Sequence, residues 1–282
     1  MTPDQYCKEK LNASHSNFAV AFIFLSNKKR KAMNALYAFC REVDDIADEC
    51  KEYEIGKNKL DWWRVEIQRL FDNNPQHPVT KALLPHIKNY QLNQEYFIEI
   101  LDGMEMDLNF NRYESFKQLQ LYCYRVASVV GIMSAKIFGY KNVQTHKYAH
   151  NLGIALQLTN IMRDIGEDAR RDRIYVPLDQ LKKLNISENE ILALTKNEKF
   201  IDLINHLSLQ AKGFYLEAIR QLPKEDKWSQ LPGLIMANIY YILLHEIKQN
   251  TPENIVNIKT LLPPSRKFFI ALGTIFGVRW IK

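Results

Sequence analysis

The 282-residue chain is 46% hydrophobic and 25% charged, near the average for soluble globular proteins, which excludes disordered, collagenous and disulfide-stapled miniature classes. Lys and Arg total 38 against 32 Asp and Glu, a formal charge of +6 that suits an anionic substrate, an anionic membrane surface or nucleic acid without choosing among them. Glycine and proline number only 10 each, so the chain is poor in turn residues and reads as long helices. The opening segment, Met1 to Cys7, has an early acid and no apolar run, so it is not a signal peptide. Helical spacing begins over Lys28–Glu49, where Met33, Leu36, Tyr37, Cys40, Val43 and Ala47 recur at intervals of three and four. It continues over Leu60–Phe71, breaks at Asn73–Pro78, and resumes over Val79–Tyr90, Gln94–Asp107, Ser115–Phe138 and Gln144–Asp168. Further helices are predicted over Leu178–Leu184, Glu188–Thr195, Phe200–Gln221 and Gly233–Asn250. The loops fall at Gly139–Val143, Arg170–Pro177, Pro223–Pro232 and Thr251–Pro264. Alternation of the strand type never lasts, and neither a repeat nor a long linker divides the chain, so one all-α domain over residues 1–282 is expected.

No stretch reaches the roughly 18 apolar residues of a membrane span. Phe268–Val278, bracketed by Arg266-Lys267 and Arg279, is too short to span and reads as a buried helix or an interfacial one with basic flanks. Cys7, Cys40, Cys50 and Cys123 show neither C-x-x-C nor zinc-ligand spacing, and read as reduced thiols of a cytoplasmic protein. Neither a strongly basic face nor a docking motif for nucleic acid is evident, so no nucleic-acid partner is expected.

Two acidic constellations stand out. In Arg41-Glu-Val-Asp-Asp-Ile-Ala-Asp48, Asp44 and Asp48 are four apart, on one helix face and about 6 Å apart along the axis. In Gln157-Leu-Thr-Asn-Ile-Met-Arg-Asp-Ile-Gly-Glu-Asp168, the residues Asn160, Asp164 and Asp168 form a polar stripe with Gln157 one turn earlier, on an otherwise apolar helix. Like charges four apart destabilise a helix by a few tenths of a kcal/mol. A solvated acidic face explains either pair alone, but two pairs with an amide in register call for another reason. Facing helices that each offer carboxylates would hold Mg²⁺, a hard ion that keeps several waters and bridges to phosphate. Arg41, Arg163 and Arg173 fit this picture, because guanidinium forks pair with phosphate oxygens; Arg170 and Arg171 read more as ordinary surface arginines.

These motifs resemble the two aspartate-rich signatures of the squalene/phytoene synthase family. Supporting segments are Ser14–Phe18, Leu101–Asp107, Tyr122–Gly131 and Arg173–Pro177, in the family's order and spacing. The resemblance implies an isoprenoid-synthase helical bundle with a central active-site cavity. It implies Mg²⁺-assisted head-to-head condensation of two prenyl diphosphates, with Mn²⁺ as an alternative metal. Carried over by position, Asp44, Asp48, Asn160, Asp164 and Asp168 match metal-binding residues. Gln157, Arg41, Arg163 and Arg173 match the diphosphate site. Tyr122 matches a cavity tyrosine near the reacting carbons that could steer proton loss. Tyr240 and Arg266 resemble a C-terminal tyrosine and basic residue that help hold diphosphate, and Phe18 and Phe22 resemble entrance and cavity aromatics. One departure is His15-Ser-Asn-Phe18, where the family has S-x-S-F: the usual hydroxyls are shifted or replaced, so no phosphate contact is expected from that segment. Met104, Leu108, Val126, Val129, Val130, Leu156 and Leu158 are further candidates for the cavity wall.

Within the family, the Met1–Cys7 opening and the Phe39–Asp45 and Gly166–Tyr175 stretches are most similar to the bacterial presqualene diphosphate synthase branch of the hopanoid route. The expected substrate is then farnesyl diphosphate and the expected product presqualene diphosphate, passed to downstream hopanoid or squalene pathway enzymes. Squalene synthases using NADPH, phytoene or dehydrosqualene synthases, and a catalytically inactive assembly factor of the same fold are the alternatives. There is no G-x-G-x-x-G fingerprint, and NADPH is not expected to be required. Peripheral contact with the inner face of the membrane is expected from the lipophilic substrate and the Phe268–Val278 segment.

Overall fold

The computed structural model describes residues 1–13, 21–50, 52–195, 198–278 and 280–281. Its elements are α1 (Pro3–Ala13), α2 (Asn27–Glu49), α3 (Tyr53–Phe71), α4 (Pro78–Tyr90), α5 (Gln94–Asn109) and α6 (Phe116–Cys123). A π-helical turn, Tyr124–Ser128, carries α6 into α7 (Val129–Phe138). Then come α8 (Thr145–Arg170), α9 (Leu178–Lys183), α10 (Glu188–Leu192), α11 (Lys199–Gln221), a 3-10 turn (Lys224–Asp226), α12 (Leu231–Lys248), α13 (Pro252–Asn257) and α14 (Pro264–Ile275). Among the described residues there is no strand, only one parallel bridge between Arg112 and Ile174.

The predicted helices are all present, with boundary shifts of a few residues. Two helices went unread: α1, and α13 inside the segment expected to be a loop. Both are short and begin at a proline within their first two positions, where the missing N–H is unneeded. The expectation that no stretch could span a bilayer needs correcting. Phe116–Phe138 is long and apolar enough by length and composition, yet it lies within the bundle, packed through its π-turn and α7 against α5 and α8.

Helix α8 is the axis of the fold. Its 26 residues extend about 39 Å, and it packs against α7, α11, α12 and α13. Ile154, Ala155, Leu158, Ile161, Met162 and Ile165 are buried along it, so its polar stripe stands out against apolar neighbours. Opposite, α2 packs on α1, α4 and α5, burying Met33, Leu36, Phe39, Val43 and Ala47.

Two buried carboxylates clamp the connections. Glu66 of α3 accepts from the backbone N–H groups of Gln76 (2.7 Å) and His77 (2.8 Å) and from the Thr80 hydroxyl (2.5 Å), fixing the break that sequence placed at Asn73–Pro78. Asp226 accepts from the N–H groups of Lys141 (2.7 Å) and Asn142 (3.0 Å) and from the Thr145 hydroxyl (2.6 Å), tying the 3-10 turn to the start of α8. Such groups satisfy otherwise orphaned loop donors.

The bridge between Arg112 and Ile174 joins two connections that are distant in sequence. The Ile174 N–H donates to Asn111 (2.9 Å) and the Leu178 N–H to Tyr113 (2.9 Å). Arg112 also pairs with Asp172 (2.9 Å) and Glu188 (2.7 Å). This pins the chain after α8 against the chain after α5, so Arg173 and Tyr175 are held inward.

Candidate active site

Helices α2, α5, α7, α8 and α12 enclose a cavity of about 1190 Å³. That exceeds the roughly 300–1,000 Å³ of ordinary small-molecule pockets, room enough for more than one extended ligand. Its mouth is polar and its depth apolar. Asp44, Asp48, Asp164, Asp168, Arg41, Arg163 and Arg173 lie toward the mouth; Phe22, Met104, Val126, Val130, Leu152 and Leu156 line the interior.

At the mouth, the two predicted motifs meet. Asp44 and Asp48 come from α2, and Gln157, Asn160, Asp164 and Asp168 from α8, all lining the one cavity. Asp45 turns away, paired with Arg41 (2.6 Å) and Lys10 (3.0 Å). Basic side chains interleave with the acids. Arg41 binds Asp44 at 2.9 Å, and Arg173 and Arg171 each reach Asp48 at 3.0 Å. Arg173 also donates to the Ala47 carbonyl at 2.6 Å. Arg163 forks onto both oxygens of Asp164, at 2.8 and 2.5 Å. Lys259 bridges Asp164 (3.2 Å) and Glu167 (2.8 Å).

The crowding of acids has electrostatic consequences. Burial, followed by the Asp48 charge, pushes the Asp44 carboxyl up to about 6. Burial, followed by Asp164, pushes Asp168 up to about 8. Burial works against the charge of Arg163, but Asp164 and then Tyr240 overcome it and hold the guanidinium firmly protonated.

Hard oxygen donors on facing helices fit a divalent cation. Asn160 donates to Gln157 (3.2 Å) while its own side-chain oxygen is buried without a partner. Asp168 has no basic side chain within ion-pair distance among the described residues. Nor do three or more His, Cys, Asp or Glu side chains there gather into a cage for an ion. The fit to Mg²⁺ lies in the donors alone: carboxylate and amide oxygens are the hard ligands such an ion takes together with waters and phosphate oxygens.

A second polar group lies one step deeper. Asp107, near the end of α5, is almost fully buried and accepts the hydroxyls of Tyr122 (2.8 Å, at Oδ2) and Tyr175 (2.8 Å, at Oδ1). Tyr113, Tyr122 and Tyr175 pack together, their ring centroids 5.2 to 5.8 Å apart. Burial pushes Asp107 up to about 7, against the opposing pull of Arg173 and the two tyrosines.

Most of the predicted residues are therefore brought together, and Tyr240 and Phe22 also line the cavity. Arg266 is not among them. It pairs with Glu246 at 2.7 Å, and its neighbour Lys267 is the basic residue of α14 that lines the cavity. Arg171, expected on the surface, joins the site through Asp48, whereas Arg170 is structural, donating to the Gly166 (2.9 Å) and Val256 (3.2 Å) carbonyls. Of the proposed wall residues, Leu108, Val129 and Leu158 pack elsewhere. Phe18, the Ser14–Phe18 segment and the Arg279 flank lie outside the described residues. Sequence reasoning missed Lys259, Lys267, Asp107 and Tyr175. Asp107 follows Ile100 and Met104 at helical spacing on an otherwise apolar face, which was the signal for it; nothing local marked the two lysines.

The structure is an all-α bundle whose two carboxylate-bearing helices line one large, partly apolar cavity. A sequence profile described as squalene/phytoene synthase matches residues 11–266. The chain belongs to the squalene/phytoene synthase family, whose members are prenyltransferases that bind prenyl diphosphates with divalent metal. Among similar proteins, a phytoene synthase of Arthrospira platensis is 35% identical over 85% of this chain and 81% of its own length. The 15-cis-phytoene synthase of Synechococcus elongatus is 31% identical over 93% of this chain and 88% of its own. The chain spans only about 60% of the length of chloroplast phytoene synthases such as that of Arabidopsis thaliana, to which it is 33% identical over 88% of its own residues. A ligand-bound dehydrosqualene synthase superposes with a TM-score of 0.88 at 26% identity, covering 97% of this chain and 95% of that one. Squalene synthase HpnC from Alicyclobacillus acidocaldarius gives 0.79 at 25%, covering 88% and 93%.

Proposed function

We propose that this protein condenses two prenyl diphosphates head to head, with loss of diphosphate. The observation that carries the reading is the pairing of Asp44/Asp48 with Asp164/Asp168 across the mouth of one cavity whose depth is apolar. Mg²⁺ or Mn²⁺ held by these carboxylates and Asn160 would neutralise charge on the departing diphosphate. Arg41, Arg163, Arg171, Arg173 and Lys259 now neutralise the carboxylates, and are placed to turn to phosphate oxygens once a substrate arrives. The apolar walls orient the chains and exclude water from the allylic cation.

Chain length is the finer question. Farnesyl diphosphate, giving presqualene diphosphate, is the reading from motif resemblance, and the likeness to the dehydrosqualene synthase structure favours it. A second reading has its own support. The cavity still touches Tyr148, sixteen residues before Asp164 on α8, about 24 Å along the axis. An extended carbon chain advances about 1.3 Å per bond. A fifteen-carbon prenyl group then reaches about 14 Å beyond the diphosphate, and a twenty-carbon group about 19 Å. The depth suits the longer chain, as do relatives that make phytoene, a forty-carbon product.

The test is a product assay with farnesyl or geranylgeranyl diphosphate and Mg²⁺, with and without NADPH, read by mass spectrometry. Presqualene diphosphate regardless of NADPH supports the hopanoid-type reading; squalene only with NADPH makes it a full squalene synthase. Dehydrosqualene, or phytoene from the longer substrate, places it with the carotenoid enzymes. Asp48→Ala and Asp164→Ala are expected to abolish turnover while the helical circular dichroism persists. Full activity in either, or no product from the wild type with either substrate, defeats the reading and favours an inactive fold relative.

The same reading includes peripheral membrane contact. Phe268, Phe269 and Phe276 on and after α14 are exposed, at 51%, 68% and 82%, beside Leu261 at the cavity mouth. Lys267 and Arg266 flank them, a composition that suits an anionic lipid surface. A lipophilic product would then leave directly into the bilayer, to enzymes that consume it there. Co-sedimentation with anionic liposomes at low salt is expected, and Phe269→Glu with Phe276→Glu should weaken it; binding unchanged in that variant removes the segment from the contact.

A further inference from the structure

Asp107 occupies the boundary between the two halves of the cavity. On α5, Ile100 and Met104 line the apolar interior, and Asp107 follows Met104 by three residues, one turn nearer the mouth. Arg173, which grips Asp48 on the diphosphate side, bears on the same carboxyl. Allylic carbons C1 to C3 of a prenyl diphosphate adjoin its leaving group, so they would lie at this level. Among the described residues no basic side chain forms an ion pair with Asp107; its hydrogen-bond partners there are two tyrosines, one on each oxygen.

The two tyrosines are not equivalent. Tyr175 sits two residues from Arg173, on the segment pinned by the Arg112–Ile174 bridge, so it belongs to the diphosphate side. Tyr122 belongs to the hydrocarbon side. The π-helical turn begins two residues later, at Tyr124, and Val126 and Ala127 within it line the cavity. π-bulges interrupt the regular ladder and are frequent where a side chain must be re-aimed. Bonded to a buried carboxylate, a phenol hydroxyl keeps a lone pair for the cavity while its own proton is committed to Asp107.

We propose that Asp107 is a positioning residue that aims Tyr122 at the reacting carbons and takes the proton Tyr122 relays when the coupled cation is quenched. The inference rests on the head-to-head condensation reading. In that step a C–H bond beside the cation breaks, and its electron pair closes the third carbon–carbon bond of a cyclopropane. The released proton goes to the Tyr122 oxygen as the Tyr122 proton passes to Asp107 Oδ2. Tyrosine and carboxyl end neutral, and the proton returns to solvent after product leaves. Tyr175 holds the other oxygen, Oδ1, and fixes the plane of the carboxylate. Burial that brings Asp107 close to neutrality as an acid matches the need of a group that gains and loses one proton per cycle.

The experiment compares wild type, Asp107→Asn, Tyr122→Phe and Tyr175→Phe with prenyl diphosphate and Mg²⁺. Three quantities are read: released diphosphate, which reports ionisation; carbon products by mass spectrometry; and the melting temperature. In Asp107→Asn and Tyr122→Phe, KM should stay within about 3-fold and diphosphate release should persist, while coupled product falls about 10²- to 10⁴-fold, the usual worth of a positioned acid or base. Prenyl alcohols from capture of the cation by water should rise in both. Tyr175→Phe should lose less than about 10-fold, because the Tyr122–Asp107 link survives. A wild-type ratio of coupled product to released diphosphate in Asp107→Asn or Tyr122→Phe overturns the proposal. So does equal loss of release and product with a lowered melting temperature in both variants, which is a purely structural role. Failure of the condensation reading is seen separately, as absence of coupled product from the wild type.

Discussion

Gly166 lies between Asp164 and Glu167, where α8 passes under α13, and a Cβ there would stand 2.0 Å from the Val256 carbonyl oxygen, 2.8 Å from its carbon and 3.2 Å from its Cα. The obstacle is backbone, so no rotamer relieves it. To reach an ordinary 3.4 Å contact, α13 must retreat about 1.4 Å in Gly166→Ala. Overpacking of this kind costs about 1–3 kcal/mol, and alanine's better helix propensity returns about 1. The same movement strains the Arg170 bond to the Val256 carbonyl, so a net loss of about 2 kcal/mol is expected. At about 2 °C per kcal/mol for a chain of this size, the melting temperature should fall by about 4 °C. Because Lys259 is only two residues past α13 and pairs with Asp164 and Glu167, kcat/KM should fall about 10- to 100-fold as well. Gly213→Ala is the matched control: it lies in α11, a Cβ there meets nothing within 4 Å, and the substitution should stabilise by up to about 1 kcal/mol. Differential scanning calorimetry and steady-state turnover on both variants decide the matter. Gly166→Ala melting at or above the wild type, in step with Gly213→Ala, would refute the close approach and the coupling of α13 to the site.

The cavity geometry separates two neighbouring basic residues: Lys267→Ala should raise KM, whereas Arg266→Ala should leave kcat/KM within about 3-fold, since an exposed pair such as Arg266–Glu246 is worth about 0–1 kcal/mol. The reverse order in a kinetic comparison would restore Arg266 to the site. Glu66 gives a pH prediction. Burial raises its pKa, but donation from His77, Thr80 and Gln76 more than offsets this, so the folded value lies below the ordinary 4.5. A depressed carboxylate contributes stability that is present above its unfolded pKa and lost as pH falls through the folded one. Glu66→Gln should therefore cost about 1–3 kcal/mol at pH 7, and the gap to wild type should narrow as the pH falls below 4.5. Urea denaturation at both values measures it, and a gap that does not change with pH would contradict the assignment.

The sequence carried the helices and the two aspartate-rich motifs because both are periodic. Asp44 and Asp48, and Asn160, Asp164 and Asp168, announce a shared face by their spacing alone, and the lone polar stripe on α8 can be seen without any partner in view. That the two faces meet is tertiary, and it rests on resemblance until α2 and α8 are placed around one cavity. What was not legible depends on contacts distant in sequence. Tyr175 reaches Asp107 only because the Arg112–Ile174 bridge fastens two loops 62 positions apart. Lys259 reaches Asp164 only because Gly166 lets α13 lie against α8. Arg266 and Lys267 are adjacent on α14, about 100° apart in direction, and nothing in a single sequence says which faces the cavity and which faces Glu246.

The distribution of charge in the site has a further consequence for how binding must proceed. Four cavity-mouth carboxylates do not all ionise freely: burial, then Asp48, pushes Asp44 toward neutrality, and burial, then Asp164, does the same to Asp168. Among the described residues, Arg41, Arg163, Arg171, Arg173 and Lys259 pair with Asp44, Asp48 and Asp164 but none forms an ion pair with Asp168, and the Asn160 oxygen has no donor. A phosphate group alone would compete for the arginines and strand the acids, while a cation alone would be drawn to the acids and strand the arginines. Metal and diphosphate together satisfy both sets, so their binding should be mutually reinforcing. Isothermal titration of inorganic diphosphate should accordingly give a dissociation constant at least 10-fold lower with Mg²⁺ than in chelator, a coupling of about 1.4 kcal/mol. Equal affinity in the two conditions would mean that the arginines and the carboxylates act independently, and the interleaving of charges across the mouth would need another explanation.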